Sequence, residues 1–254
     1  MQEELAVAEA VGEEELAKFM LNLAGLKKEL KQKANLEKAK ILQRFFKTGP
    51  GEYGEGDIFL GIKVPEQRKI AKGYRELPLK EVKKLLQSRI HEERLIALFI
   101  LTHKFQVRDN EQKEKIFKLY LKNTKYINNW DLIDLSANKI IGEYLIQKSK
   151  KILYKLAKSK SLWERRIAIM STFQFIKSNQ FKETLKISNL LLKDEHDLIH
   201  KAVGWMLREV GKRSLAIEEG FLRKHYKRMP RTMLRYAIER FPESKRQAYL
   251  KGKI

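Results

Sequence analysis

Trp130 and Asp134 stand four residues apart in Trp130-Asp131-Leu132-Ile133-Asp134. On a helix that spacing sets an indole and a carboxylate on one face. An electron-rich ring beside a negative charge can hold an electron-poor or cationic group, and stabilise positive charge as it develops. Two further segments carry residues of the same kind: Leu162-Trp163-Glu164-Arg165-Arg166, and Lys201-Ala202-Val203-Gly204-Trp205-Met206-Leu207-Arg208-Glu209. A tryptophan at helical spacing is more often core than site, but Asp134 is an awkward residue for a purely apolar face. Arg166 and Trp205 fall in the same register of their own segments, so Trp130, Asp134, Arg166 and Trp205 could converge on one groove. On a chain of net charge +22, that set suggests a protein that grips a polyanion and does chemistry on it.

The elements that must carry these residues read as helices. Apolar residues recur with period 3.6, as in Leu95, Ile96, Leu98 and Phe99, and no useful stretch alternates with period 2. The prolines, Pro50, Pro65, Pro78, Pro230 and Pro242, all fall at helix starts or turns. The pattern predicts an all-α chain. Small residues in similar contexts, Ala97, Ala168, Gly204 and Ala237, recur at intervals of 71, 36 and 33. The first interval is nearly double the others, which places a further copy near Ile133. Repeats of this length hold two helices and two turns, and predict an α-solenoid superhelix of HEAT-like helical repeats. A small residue at each crossing would let neighbouring helices approach closely. The second helix of each pair carries the tryptophans and many arginines, and on this expectation lines a concave basic groove. The bland reading is that these are simply the more buried helices.

Residues 1–33 read as a weakly amphipathic N-terminal helical extension, and 34–254 as one repeat domain whose first firm helix covers 36–47. The first 20 residues hold six Glu and one Lys, a net of −5, which leaves +27 on the rest of the chain against +22 for the whole. The stretch Gly49-Pro50-Gly51-Glu52-Tyr53-Gly54 has the form of a dinucleotide fingerprint, but no strand precedes it and its carboxylates would repel a pyrophosphate. It reads as a structured loop. His196 and His200 have a metal-capable spacing but no evident third ligand, and read as a solvated helix start. With no cysteine, disulfides, thiolate nucleophiles and Cys-ligated metals are excluded. No run approaches the roughly 20 apolar residues that span a bilayer, and the acidic start does not suit a signal peptide. A soluble, cytoplasmic protein is expected.

Four pieces together resemble the AlkD-type DNA alkylation repair family of HEAT-like-repeat DNA glycosylases: Asp57-Ile58-Phe59-Leu60-Gly61-Ile62-Lys63-Val64-Pro65-Glu66-Gln67-Arg68, Asn129 to Asp134, Leu162 to Ala168 and Lys201 to Glu209. The likeness covers about residues 36–245. It implies a catalytic aspartate at Asp134, sugar-contacting tryptophans at Trp130 and Trp205, and the family's groove arginine at Arg166. It also implies excision of N3- and N7-alkylated purines from duplex DNA by contact with deoxyribose and backbone, without a base-binding pocket. Such a base is cationic and already a good leaving group, so the reaction needs no metal and no cofactor. Phosphate contacts, which position a protein without specifying sequence, are expected from among Arg165, Lys201, Arg208, Arg231 and Arg235. The expected partner is duplex DNA carrying alkylated purines, bound by a monomer with no membrane attachment. Two other readings compete: a non-catalytic HEAT-like binder of damaged or branched DNA, and a protein-interaction solenoid.

Overall fold

The computed structural model describes residues 22–254, and every regular element among them is helical. One isolated bridge, Ile58 to Ile90, is the β-type contact among the described residues. The chain parts into two compact units between Asn129 and Trp130.

The first unit contains α1 (Leu23–Gln32), α2 (Leu36–Phe45), α3 (Val64–Gly73), α4 (Leu79–Leu86), α5 (His91–Val107) and α6 (Asn110–Lys122). Asn22, Asn35 and Asp109 open α1, α2 and α6 by accepting from the backbone N–H three residues on, which satisfies a donor the helix itself leaves unpaired. Pro65 lies in the first turn of α3 and Pro78 at the N-cap of α4, where no backbone N–H is required. α5 is buried on nearly every side, and α3, α4 and α6 pack around it.

Residues 1–21 of the expected extension lie outside the described residues. Its remainder holds one helix, which joins the packing of the first unit. Where the sequence pattern has its first firm helix at 36–47, the structure has α1 before it, packed on α4 with Leu26 and Leu30 at 0% exposure. α2 itself ends at Phe45. The pattern of α1 is weak because only these two leucines face inward over its ten residues.

The glycine stretch is a structured loop, as its sequence predicts. Gly51 and Gly56 take φ of +74° and +81°, which side chains rarely adopt. The loop is tied to the start of α5. Asp57 accepts from Arg94 Nη2 at 2.7 Å and meets His91 Nδ1 at 3.1 Å. The Glu92 carboxylate accepts from the backbone N–H of Leu60, Gly61 and Ile62 at 3.0, 2.8 and 3.3 Å. Burial raises the Asp57 carboxyl, but its bonds to His91 and Arg94 more than reverse this and leave it below the usual range. The first of the four recognisable pieces is thus a buried polar clasp.

The second unit contains α7 (Trp130–Asp134), a π-helical turn (Asn138–Gly142), α8 (Glu143–Leu145), α9 (Lys151–Ala157), α10 (Leu162–Lys177), α11 (Lys182–Leu190), α12 (Asp197–Arg213), α13 (Leu215–His225), α14 (Arg231–Ala237) and α15 (Glu243–Leu250). α7 packs on α10, α10 on α12 and α12 on α14, while α9, α11 and α13 intervene in sequence and pack alongside. The four stacked helices are those that carry the repeat positions Ile133, Ala168, Gly204 and Ala237, all buried. Gly204 shows why a small residue recurs: a Cβ there would lie 2.5 Å from the Met233 carbonyl oxygen and 2.5 Å from Tyr236 Cβ, so α12 and α14 meet almost backbone to backbone. No helix among the described residues is long and apolar enough to cross a membrane.

Candidate functional site

The central pair of the second unit is Asp134 and Arg166. Asp134 ends the single turn of α7, and Arg166 lies in the first turns of α10, the helix α7 packs against. Arg166 Nε donates to Asp134 Oδ1 at 2.9 Å and Nη2 donates to Oδ2 at 2.7 Å. Its third nitrogen, Nη1, donates to the Leu198 carbonyl in the first turn of α12. One guanidinium therefore ties together α7, α10 and α12. This fork geometry fixes the plane of the carboxylate as well as its place.

The Arg166 side chain is 5% exposed and that of Asp134 13%. The pair is therefore largely, though not wholly, withdrawn from solvent. Each carboxylate oxygen has accepted one hydrogen bond from Arg166 and keeps lone-pair capacity for a water or a substrate group. Burial raises the Asp134 carboxyl above the ordinary range; Arg166 pulls it back through charge and hydrogen bonding, and Asp131 adds a smaller upward push. Trp130 begins the same turn, half-buried, one helical turn before Asp134. After Asp134 the helix breaks at residues 135–136 and resumes through the π-helical turn. Such wide turns re-aim side chains and recur at functional sites.

Trp205 comes from α12. Its indole Nε1 donates to Glu209 Oε1 at 3.0 Å, and Glu209 also accepts from Lys212 Nζ at 2.6 Å. The ring lies beside Phe173 of α10, with centroids 6.2 Å apart at 42°. Phe173 is seven residues after Arg166, two turns along the same helix face and on the order of 10 Å along the axis. The structure thus joins Asp134 directly to Arg166, sets Trp130 on the aspartate's own turn, and holds Trp205 further along the α10 face. Glu209 and Phe173 are additions to the sequence-derived set. A carboxylate four residues after a tryptophan on one helix was the available signal for Glu209; Phe173 had none.

The expected phosphate contacts divide. Arg165 grips Asp194 with two donors, at 2.6 and 3.3 Å, and bonds the carbonyls of Ser159 and Lys160. Arg208 is paired with Glu239, and Lys201 with Asp197 at 2.7 Å. Arg231 donates to the Leu250 carbonyl at 2.6 Å and is otherwise exposed, as is Arg235. Trp163 is half-buried near the start of α10. The His196 ring caps α12 by accepting from Leu198 N, and His200 Nε2 meets the Asp194 carbonyl, so both imidazoles serve the helix start.

A model of the family described as "DNA alkylation repair enzyme" matches residues 26–241. A predicted DNA alkylation repair enzyme from Enterococcus faecalis superposes with a TM-score of 0.64 at 17% identity, covering 83% of this chain and 98% of its own; that likeness is one of fold. The smu.31 protein from Streptococcus mutans UA159 aligns at 20% identity and a TM-score of 0.47, over 85% of this chain and 94% of its own. No curated protein matches this chain.

Proposed function

The chain belongs to the DNA alkylation repair enzyme family, and from that premise we propose that it is a monofunctional DNA glycosylase hydrolysing the N-glycosidic bond of cationic N3- or N7-alkylated purines in duplex DNA. The observation that carries this reading is the Asp134 carboxylate, clamped at both oxygens by Arg166 on a side chain that keeps 13% exposure, with an indole one turn away.

The chemistry follows from the charge of the substrate. As the bond from C1′ to the purine nitrogen breaks, its electron pair goes to the cationic base, which leaves neutral and needs no proton. Positive charge moves onto the sugar as an oxocarbenium ion. Asp134 stabilises that charge at close range, and its remaining lone pairs orient the water that attacks C1′ and accept its proton. The indoles of Trp130 and Trp205 add cation–π attraction as the sugar becomes positive. Arg166 is a positioning residue: it fixes the carboxylate plane and opposes the upward push of burial on its pKa. This differs from the paired carboxylates of ordinary glycoside hydrolases, and it asks for no metal and no organic cofactor. No base-binding pocket is required, because discrimination rests on the leaving-group ability of the lesion.

In the same reading, α7, α10, α12 and α14 form part of a HEAT-like solenoid whose concave basic groove holds the duplex, residues 34–254 act as one such domain, and the protein works as a cytoplasmic monomer. Lys201, Arg231 and Arg235 contact phosphate, while Arg165 and Arg208 hold the fold through their ion pairs. The test is incubation with methylated duplex DNA and chromatographic detection of released bases. Release of 3-methyladenine or 7-methylguanine without a divalent metal is the expected result. Duplex affinity with no base released from any alkylated substrate would favour a non-catalytic DNA-binding protein.

A further inference from the structure

A cavity of about 480 Å³ opens in the first unit between α4 and the C-terminal half of α6. Five lysines line it: Lys83 from α4, Lys115, Lys118 and Lys122 from α6, and Lys125 from the 3₁₀ turn that follows. No carboxylate lines it. Lys115 and Lys118 are paired with Glu111 and Glu114, one turn earlier on α6, at 2.6 and 2.5 Å. Lys83 and Lys122 have no ion-pair partner among the described residues, and Lys125 lies over the Tyr126 ring at 4.8 Å. The floor is polar and already satisfied: Gln87 Nε2 donates to Asn123 Oδ1 at 2.9 Å, and Asn123 Nδ2 to the Leu119 carbonyl at 2.7 Å. None of these lysines is among the residues proposed for chemistry, which all lie in the second unit.

Five exposed lysines around a cavity lined by no carboxylate set up a local positive potential that draws an anion. Spacing narrows the class of anion. Lys115, Lys118 and Lys122 stand at i, i+3 and i+7, one row along a single helix face. The row is on the order of 10 Å long at about 1.5 Å per residue, which spans about three phosphate-to-phosphate steps of one strand at about 3.4 Å of axis each. Leu119 and Tyr126 give an apolar wall suited to deoxyribose.

We propose that this cavity is a second DNA-binding site, holding consecutive phosphates of one strand with residues other than those of the Asp134 centre. It rests on the reading of the chain as a DNA-acting protein but not on base release, so it is tested on undamaged duplex. The probe is a salt titration of duplex affinity for the full chain and for the triple variant Lys83→Gln, Lys122→Gln, Lys125→Gln. Each phosphate contact contributes about 0.9 to the slope of log K against log salt, so the variant's slope should fall by about 2 to 3, with affinity near 0.1 M salt weaker by roughly a hundredfold. An unchanged slope and affinity overturns the proposal. Reductive methylation of lysines in the unmutated chain supplies a reading independent of the variant's folding. Duplex should protect Lys83, Lys122 and Lys125, and equal modification with and without DNA overturns the site. Protection by polyglutamate but not by duplex would assign the cavity to an acidic protein segment, and likewise overturn it. A chain that binds duplex through these lysines yet releases no base would contradict the glycosylase reading alone.

Discussion

Asp134 and Arg166 lie 32 residues apart in sequence and are joined by two parallel hydrogen bonds, Oδ1 to Nε at 2.9 Å and Oδ2 to Nη2 at 2.7 Å. A lysine offers a single point charge and cannot reproduce that fork. Arg166→Lys should therefore keep the fold and the affinity for duplex but lose orientation of the carboxylate, with base release slower by roughly a hundredfold, the scale of an ångström-sized misplacement. Because Arg166 also holds the Asp134 carboxyl down, any acid limb in the pH–rate profile should move upward in this variant. An unchanged rate and profile would mean that the pair is only a structural tie.

The pH dependence of the unmutated chain follows from the same site. Burial raises Asp134, with Arg166 opposing, and the proposed chemistry needs the ionised form. Single-turnover base release should fall as pH drops through a midpoint above the ordinary aspartate value of about 3.9. No loss on the alkaline side is expected from this group. A rate that stays flat down to pH 4 would contradict the assignment.

Glu209 should act through Trp205. Glu209→Ala removes the acceptor of the indole N–H and leaves the ring free to turn. We expect a several-fold slower base release and a shifted tryptophan emission, about the effect of one hydrogen bond lost. Glu209→Gln keeps an acceptor oxygen and should restore most of both. Failure of glutamine to rescue would point to the charge next to Lys212 instead.

Gly204→Ala should destabilise the second unit, because the added methyl would have to displace backbone at the Met233 carbonyl. A loss of roughly 1–3 kcal/mol, read as a lowered Tm, is expected from such overpacking. Gly73→Ala is the matched control: a Cβ there meets nothing within 4 Å, so its Tm should hold or rise slightly.

Glu218 gives the fold its own pH dependence. Its carboxyl, at 2% exposure, is raised by burial to about 8, with Glu219 adding to the shift and Arg208 opposing it. Between about 4.5 and about 8 the folded chain keeps a proton that the unfolded chain has lost, so this group's contribution is fully present below that window and is lost as pH rises through it. Glu218→Gln should match the unmutated chain near pH 4.5 and exceed it in Tm above pH 8. Equal melting of the two chains at pH 8.5 would contradict a buried neutral Glu218.

What could be read from the sequence was what local spacing controls. Helices follow from period 3.6, and the register of α7, α10, α12 and α14 follows from Ile133, Ala168, Gly204 and Ala237, because close crossings demand small or well-packed residues. Asp134 is conspicuous as a charge on an apolar face and Arg166 by its register in the next segment, although their pairing is not visible in the sequence. Contacts made by distant residues left no such trace. The clasp of Asp57 with His91 and Arg94 spans 34 and 37 residues. Arg165 and Arg208 read as free cations until Asp194 and Glu239 were found beside them, 29 and 31 residues away. The π-helical turn after Asp134 was equally hidden, since one widened turn barely alters a 3.6-residue pattern.

The central claim is that Asp134 carries the chemistry. Its most direct test is single-turnover release of 7-methylguanine from methylated duplex by the unmutated chain and by Asp134→Asn, with duplex affinity measured in parallel. The asparagine keeps the shape and removes the charge. The account predicts release slower by at least about a hundredfold at an affinity equal to or above that of the unmutated chain. Release of 7-methylguanine by Asp134→Asn at the unmutated rate would contradict it.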